Sequence, residues 1–371
     1  MNLKDIFHCS IAAVMKRAGI SRFTIFCGLV AVLALLYVSL WLFPSSAASP
    51  DIPQTILLMD DYGYEQYRIK DPDALVIDAT KATWIVSNVT KPRNRYPFLV
   101  EDSEPGLIIE GGTITGEVPL DISWRDAYKN SAAVYSRDNE DVTITGWKIT
   151  QAWDAIRITG ERDWSFVVDD VWLENIRDDG IENDDGLGGI IQNSLFDGVF
   201  VGISLADSKT KNQSDRVVTI DRTLIRMQPF LYKGEITHHS IFKVDKGGDS
   251  PALDLRNSVF AIADVDHEGQ ERLGVAWDSV VNAEGNYFLN LSDDELPRDY
   301  PLPPEDGFTI LEGQEAREFW ESARAAWLGD GPVDPTPTSI SVADLIERLR
   351  EKDQNAQLPF ETTVGELIDG A

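Results

Sequence analysis

Residues 142–151 read VTITGWKITQ, and this short stretch sets the pattern for the whole middle of the chain. In it, Ile144 and Ile149 stand five positions apart and are separated by small or polar residues. Five further segments align with it without gaps: LIIEGGTITG (107–116), VVDDVWLENI (167–176), IIQNSLFDGV (190–199), VTIDRTLIRM (218–227) and LDLRNSVFAI (253–262). The corresponding apolar pairs are Ile109/Ile114, Val168/Leu173, Ile191/Phe196, Ile220/Ile225 and Leu255/Phe260.

The copies follow one another at intervals of 23 to 35 residues, and Ala283/Phe288 is a weaker seventh copy. Between about residues 75 and 291, short β-branched runs are broken by Gly, Asn and Asp without a sustained helical period. Such a texture is typical of β-strands. A solenoid of stacked coils requires the same inward-facing positions in every coil. The repeated pairs therefore predict two inward rows of a β solenoid.

This pattern resembles that of the right-handed parallel β-helix proteins, the superfamily that contains pectate lyases and polygalacturonases. The resemblance implies an all-β protein with a right-handed parallel β-helix over residues 73–296. A β-sandwich or jelly roll is the alternative, since it too consists of short strands joined by turns. The repetition of one spacing template six times favours the solenoid.

An apolar segment precedes the repeats. Residues 23–43 carry no charge, and at ~1.5 Å per residue they span ~31 Å, close to the hydrocarbon thickness of a bilayer. Residues 1–22 carry a net charge of +3, so the positive-inside tendency predicts a cytoplasmic N-terminus and a periplasmic or extracellular main domain. We therefore expect a single-pass transmembrane helix in the lipid bilayer. A signal peptide cleaved after the small residues 46–48 is the alternative, and the length of the apolar run disfavours it.

The remaining regions flank the repeats. Residues 44–72 are predicted to form a linker and an N-terminal cap, and residues 297–371 a C-terminal extension with two helices. The first helix, 314–328, has an apolar stripe that we expect to pack on the flank or end of the solenoid: Phe319, Trp320, Ala323 and Trp327. The second, 341–352, begins with a capping sequence and has its own apolar stripe.

Charge and cysteine content exclude several classes of function. The net charge is −29, so the residues beyond the basic N-terminal segment carry −32. A surface this acidic repels nucleic acid, which we exclude as a partner. Cys9 and Cys27 are the only cysteines, so the region beyond residue 43 contains neither a disulfide nor a thiolate metal site.

Within the repeats, one segment is unusually acidic. Five carboxylates fall within eight residues: Asp178, Asp179, Glu182, Asp184 and Asp185. Stacking Ile156, Ile181 and Ile203 as an inward row places Asp154 beside Asp179, and Arg157 beside Glu182, on the outer face. Adjacent coils lie ~4.8 Å apart, so these charges are near neighbours. Like charges at such distances cost free energy unless a cation, an arginine or a proton compensates them. Arg157 and Arg177 are the expected counter-charges.

Asp179-Gly180 follows the turn of its coil as a catalytic Asp-Gly pair does in polygalacturonase-like enzymes. That resemblance implies a catalytic role for Asp179. The stacking of the coils adds its expected neighbours as further catalytic candidates: Asp154, Glu182 and Arg157. The next coil, however, has Phe200-Val201-Gly202 where that family places paired aspartates. The Gly-His-Gly signature of the family does not occur in the chain, and no Arg-Ile-Lys signature follows the acidic segment.

The resemblance to pectate lyases implies instead carboxylates that hold calcium against an acidic sugar, and oxygen-only ligands suit that ion. The expected metal ligands are Asp178, Asp184 and Asp185. Trp153 and Trp147 are candidates for stacking on sugar rings or, alternatively, for packing in the core. The whole acidic segment is alternatively a surface ladder without a ligand.

These observations lead to two hypotheses of different class. The first is a membrane-anchored β-helix protein that binds or cleaves a polysaccharide, acting as a hydrolase or lyase if it is an enzyme. The second is a non-catalytic accessory or structural subunit of a membrane protein complex. Small residues at Gly28, Ala31 and Ala34 would give the anchor a packing face, as the second hypothesis requires.

Overall fold

The structure, a computed structural model, describes residues 54–329 except 90, 129, 162 and 206–211. The predicted transmembrane segment 23–43, the segments flanking it up to residue 53, and the predicted helix 341–352 lie outside the described residues. Within the described ranges, no helix is long and apolar enough to cross a membrane.

The chain winds through three faces of parallel strands, and each coil contributes one strand to a face. The first face is a sheet of nine strands in the order β1 (Thr55–Leu57), β4 (Val76–Asp78), β7 (Ile108–Glu110), β10 (Val142–Thr145), β13 (Ser165–Asp169), β15 (Gly188–Gln192), β17 (Val217–Asp221), β22 (Ala252–Arg256) and β24 (Val280–Glu284).

The second and third faces form one sheet of fifteen strands. The second face runs through β2 (Asp61–Gly63), β5 (Thr83–Val86), β8 (Thr113–Gly116), β11 (Lys148–Thr150), β14 (Trp172–Glu182), β16 (Leu195–Leu205), β18 (Leu224–Met227), β23 (Val259–Ile262), β25 (Asn286–Asn290) and β26 (Phe308–Glu312). The third face runs through β3 (Tyr67–Lys70), β6 (Phe98–Glu101), β9 (Ala132–Arg137), β12 (Asp154–Thr159), the second halves of β14 and β16, and β21 (Phe242–Val244). The two faces are joined because β14 and β16, each of 11 residues, continue around the corner between them.

The fold is therefore a parallel β-helix, as the repeats predicted. Ile109, Ile144 and Val168 are directly aligned on the first face, and Ile114, Ile149 and Leu173 on the second. The remaining pairs continue both rows, and all twelve side chains are fully buried. Ala283 and Phe288 extend the rows by one coil, so the seventh copy is confirmed.

The five-residue spacing results from a tight corner between the first and second faces. In six successive coils, the middle residue of this corner has a positive φ of 47° to 71°: Gly146, Asp170, Asn193, Arg222, Asn257 and Gly285. Gly, Asn and Asp adopt this left-handed conformation most readily, which explains their recurrence between the apolar pairs. Buried hydroxyls also satisfy backbone amides of the preceding coil, since Ser194 accepts from Val171 N at 3.2 Å.

The solenoid extends beyond both ends of the predicted range 73–296. Strands β1 to β3 form an additional coil inside the predicted cap, and β26 adds a strand inside the predicted extension. The first coil lacks the five-residue template because its spacing is longer: Ile56 is aligned with Ile77 on the first face, and Tyr62, six positions later, stacks on Trp84 at 4.8 Å. Its sequence therefore gave no signal of a repeat.

Among residues 54–329, three helices and one hairpin are attached to the solenoid: α1 (Trp124–Ala127), α2 (Gln270–Asp278), α3 (Gly313–Trp327), and the antiparallel pair β19 (Phe230–Tyr232) and β20 (Glu235–Thr237). Helix α3 packs on the second face as predicted, with Trp320 and Ala323 buried against Leu195 and Leu289. Helices α1 and α2 were not predicted, because they are too short to show a helical period.

Candidate functional site

The candidate site lies on the outer surface of the third face, where the register confirms the predicted alignment. Ile156, Ile181 and Ile203 form an inward row. The next residue in each strand belongs to a column of polar side chains that runs across five coils: Tyr135, Arg157, Glu182, Ser204 and Lys243. Arg157 and Glu182 are therefore direct cross-strand neighbours.

Three carboxylates converge beside this column. Asp154, Asp179 and Glu182 each place an oxygen within 4.8 Å of the others, and we call them the carboxylate triad. Asp154 and Asp179 are each only 2% exposed. The register of β14 against β16 shifts between Ile176 and Asp179, and a bulge of this kind redirects side chains at functional sites. The shift lies immediately before the carboxyl of Asp179.

Two cations contact the triad. Arg157 donates from Nε to Glu182 Oε2, and its Nη2 lies 3.2 Å from Asp154 Oδ2. The Lys243 ammonium lies 3.3 Å from Asp179 Oδ2. Asp179 Oδ1 is buried and accepts no hydrogen bond from the described residues. Three carboxyl groups thus share two positive charges, which leaves one negative charge for a proton or a cation to compensate.

Burial raises the pKa of both Asp154 and Asp179 well above the usual value for a carboxyl. Neighbouring carboxylates raise the pKa of Asp154 further, and so does a hydrogen bond with the Glu182 side chain. A hydrogen bond between two carboxyl groups requires a proton on one of them. Burial alone would lower the pKa of Lys243, but Asp179 and its acidic neighbours raise it overall, so the amine stays protonated. The site therefore combines buried carboxyl groups of raised pKa with two positive charges.

The three expected metal ligands lie around the triad rather than within it. Asp184 accepts a hydrogen bond from Ser204 Oγ at 2.7 Å, and Asp185 accepts one from Gly160 N at 3.1 Å. Burial raises the pKa of Asp178 to about 6, an effect that Lys243 and the indole of Trp124 partly offset. The residues that come close enough to share an ion are instead the three carboxylates expected to be catalytic.

Arg177 does not act as the expected counter-charge of the triad. Its side chain is fully buried, with its guanidinium 4.8 Å from the ring centroid of Phe230. It donates to the backbone oxygens of Ile122 at 3.1 Å and Leu231 at 2.8 Å. The second counter-charge is Lys243, which the sequence analysis missed. The only feature of the sequence that could have indicated Lys243 is the alternation of apolar and polar residues in Phe242-Lys243-Val244, which is typical of a strand with one buried face.

The two tryptophans expected to stack on sugars are each only 1% exposed. Trp147 lies in the solenoid core, 4.9 Å from the ring of Phe98. Trp153 is covered by Trp124 and Tyr128, whose rings are each 5.3 Å away. This burial corrects the expectation, because neither indole has a face open to a ligand. Both tryptophans have the packing role that was the alternative.

Two of the described histidines, His238 and His267, form a separate buried pair. His238 and His267 are stacked with their ring centroids 4.4 Å apart, and burial lowers the pKa of His238 to about 4. The His238 Nδ1 lies 2.7 Å from the backbone oxygen of His239, and its Nε2 accepts from the amides of Ala263 and Asp264. Both ring nitrogens of His238 are thus occupied by backbone groups, which gives this residue a structural role.

Comparisons of the chain with protein-family models, with curated proteins and with solved structures found no match. The fold and the site alone therefore define the class: a parallel β-helix with a buried acidic site on its third face.

Proposed function

We propose that this protein is a membrane-anchored, extracytoplasmic β-helix that binds a polysaccharide and hydrolyses it at the carboxylate triad. The observation that carries the proposal is the triad itself: three carboxyl oxygens lie within 4.8 Å of one another, and Asp154 and Asp179 are buried, which raises the pKa of both. The anchor is the apolar segment 23–43, which remains a prediction from the sequence.

Hydrolysis of a glycosidic bond requires one carboxylic acid and one carboxylate. In the proposed reaction, the Asp154–Glu182 pair donates its shared proton to the glycosidic oxygen as the bond to the anomeric carbon breaks. Glu182 is the more exposed member of this pair, at 13% for its side chain, and so meets the substrate. Asp179, held through Oδ2 by Lys243, attacks the anomeric carbon with its free Oδ1 as that bond breaks, because carboxyl groups this close together fit the double-displacement route. Water then hydrolyses the resulting glycosyl ester and gives its proton to the Asp154–Glu182 pair, which restores the site.

Hydrolysis is favoured over elimination by the state of the two basic residues. A lyase needs a neutral base to remove a proton from the sugar ring. Lys243 is held in its charged form by the acidic groups around it, and Arg157 is engaged by Glu182 and Asp154. Neither residue is a free base, whereas the triad supplies both an acid and a carboxylate.

The test is an assay of the full-length protein in detergent micelles on four defined substrates: cellohexaose, chitohexaose, hexagalacturonate and the hexamer of mannuronate. We expect at least one to be cleaved, with new reducing ends measured over time. Asp179→Asn should reduce the rate by about 10²-fold or more, since it removes a carboxylate that the reaction requires. Asp293→Asn is the matched control, because that carboxylate is 96% exposed on another part of the surface and should leave the rate unchanged.

A wild-type protein that cleaves none of the four would contradict the hydrolase proposal. The non-catalytic accessory subunit would then be the better hypothesis. Purification of the native membrane protein in mild detergent, followed by identification of proteins that remain bound, would examine that alternative directly.

A further inference from the structure

A group of aromatic side chains lies beside the triad and is not used by the chemistry described above. Tyr128 is 42% exposed although one face of its ring is stacked on Trp124, with centroids 5.0 Å apart and planes at 13°. Tyr232, in the hairpin, meets the ring of Trp124 edge-on at 5.9 Å. We call Trp124, Tyr128 and Tyr232 the aromatic platform. It combines residues from two loops that are far apart in the sequence.

Contacts with two buried residues, Trp153 and Arg177, hold the aromatic platform in place. The buried Trp153 contacts both Trp124 and Tyr128 at 5.3 Å. Arg177 holds the two loops in place, since its guanidinium donates to Ile122 in the loop of α1 and to Leu231 in the hairpin. An aromatic ring that is fixed before a ligand arrives loses little conformational entropy on binding.

Three connections place the platform next to the triad. Trp153, beneath the platform, immediately precedes Asp154 in β12. The backbone amide of Asp178, which adjoins Asp179, donates to the carbonyl oxygen of Trp153 at 2.9 Å. Asn130, two residues after Tyr128, accepts a hydrogen bond from Arg157 Nη1 at 2.8 Å. A ligand that contacts Tyr128 is therefore adjacent to the charged groups of the site.

We propose that the aromatic platform is a sugar-binding subsite that holds one pyranose ring of the glycan against Tyr128. This inference rests on the proposed function for the nature of the ligand. The C–H face of a pyranose is apolar while its edge carries hydroxyl groups, so it suits an exposed aromatic ring bordered by polar side chains. The structure thus assigns the stacking role to Tyr128, whose ring is exposed, in place of the buried Trp147 and Trp153.

The test measures binding and cleavage separately, with the same four hexasaccharides. Binding to the full-length protein in detergent is followed by calorimetry, and cleavage by the release of reducing ends. Tyr128→Ala should raise Kd and KM about tenfold and leave kcat within twofold, whereas Tyr128→Phe, which keeps the ring, should behave as wild type. Leu302→Ala is the control, because Leu302 is a comparably exposed apolar residue, at 49%.

The outcomes distinguish this inference from the proposed function. Cleavage with an unchanged KM in Tyr128→Ala would overturn the subsite and leave the hydrolase proposal standing. Binding that depends on Tyr128 without cleavage would support the subsite and overturn the hydrolase proposal. Failure to bind or cleave any of the four sugars would overturn both.

Discussion

At the scale of single residues, the site depends on how Lys243 compensates a buried carboxylate. Lys243→Met removes the cation beside Asp179. Burial already raises the pKa of Asp179 above its unfolded value. The neutral carboxyl of Asp179 therefore contributes stability at low pH, and this contribution is lost as the pH rises through the folded pKa. Without Lys243 this pKa rises further, and the loss is larger. We expect a cost of about 3 kcal/mol or more at pH 8 and much less at pH 4.

Urea unfolding of both proteins at pH 4 and pH 8 measures this difference. Lys246→Met is the matched control, because Lys246 is 51% exposed and pairs with the exposed Glu271. That variant should change stability little at either pH, as exposed ion pairs contribute little. An equal cost of Lys243→Met at both pH values would show that the ammonium does not control the ionisation of Asp179.

A calcium ion, instead of a proton, is the alternative way to compensate the excess negative charge of the triad. If the ion binds, calcium should raise the melting temperature, because a ligand at 100 times its Kd stabilises the folded state by ~2.7 kcal/mol. The combined change Asp179→Asn and Glu182→Gln should abolish that increase, since both oxygens belong to the triad. If calcium has no effect and the double variant is more stable than the wild type, the triad binds no calcium and its charge repulsion lowers the stability of the protein.

At the scale of the elements, the stability of each coil depends on the inward rows. Leu173 lies between Ile149 and Phe196 in adjacent strands and is fully buried. Leu173→Asp places an unpaired charge in the core and should reduce the free energy of unfolding by about 3 kcal/mol or more. The measurement is chemical unfolding followed by circular dichroism.

The control for this change is in the neighbouring strand. Lys148 points outward, with its ammonium 3.5 Å from the ring centroid of Trp172. Lys148→Asp removes this cation–π contact and should cost only about 1 kcal/mol. Equal tolerance of the two substitutions would contradict the register described above.

At the scale of the whole molecule, the charge distribution predicts the topology in the membrane. Residues 1–22 carry +3 and the region beyond the apolar segment carries −32, so we expect that region to be translocated and to remain attached. Protease added to intact spheroplasts should digest the β-helix domain. Protection until the membrane is lysed would reverse the orientation, and release of a soluble domain beginning at Ser49 would indicate a cleaved signal peptide.

The sequence by itself determined the repeating coil and the residues that lie side by side in adjacent coils. Each coil repeats the same inward positions, so aligning the apolar pairs already places residues of adjacent coils side by side. Asp154 and Asp179, and likewise Arg157 and Glu182, are 25 residues apart in the chain and adjacent in space. In a solenoid, therefore, a contact between coils is a local property of the sequence and can be predicted from its period.

Only the tertiary structure decided where the residues outside that repeat lie. Lys243 lies 64 residues from Asp179, in a coil lengthened by the hairpin β19–β20, so the repeat gave it no aligned position. The same hairpin and the loop of α1 bury Trp153 and Arg177 and bring Tyr128 and Tyr232 to the site. Inserted loops follow no repeat, and their packing depends on side-chain contacts between distant segments, which no local pattern of residues encodes.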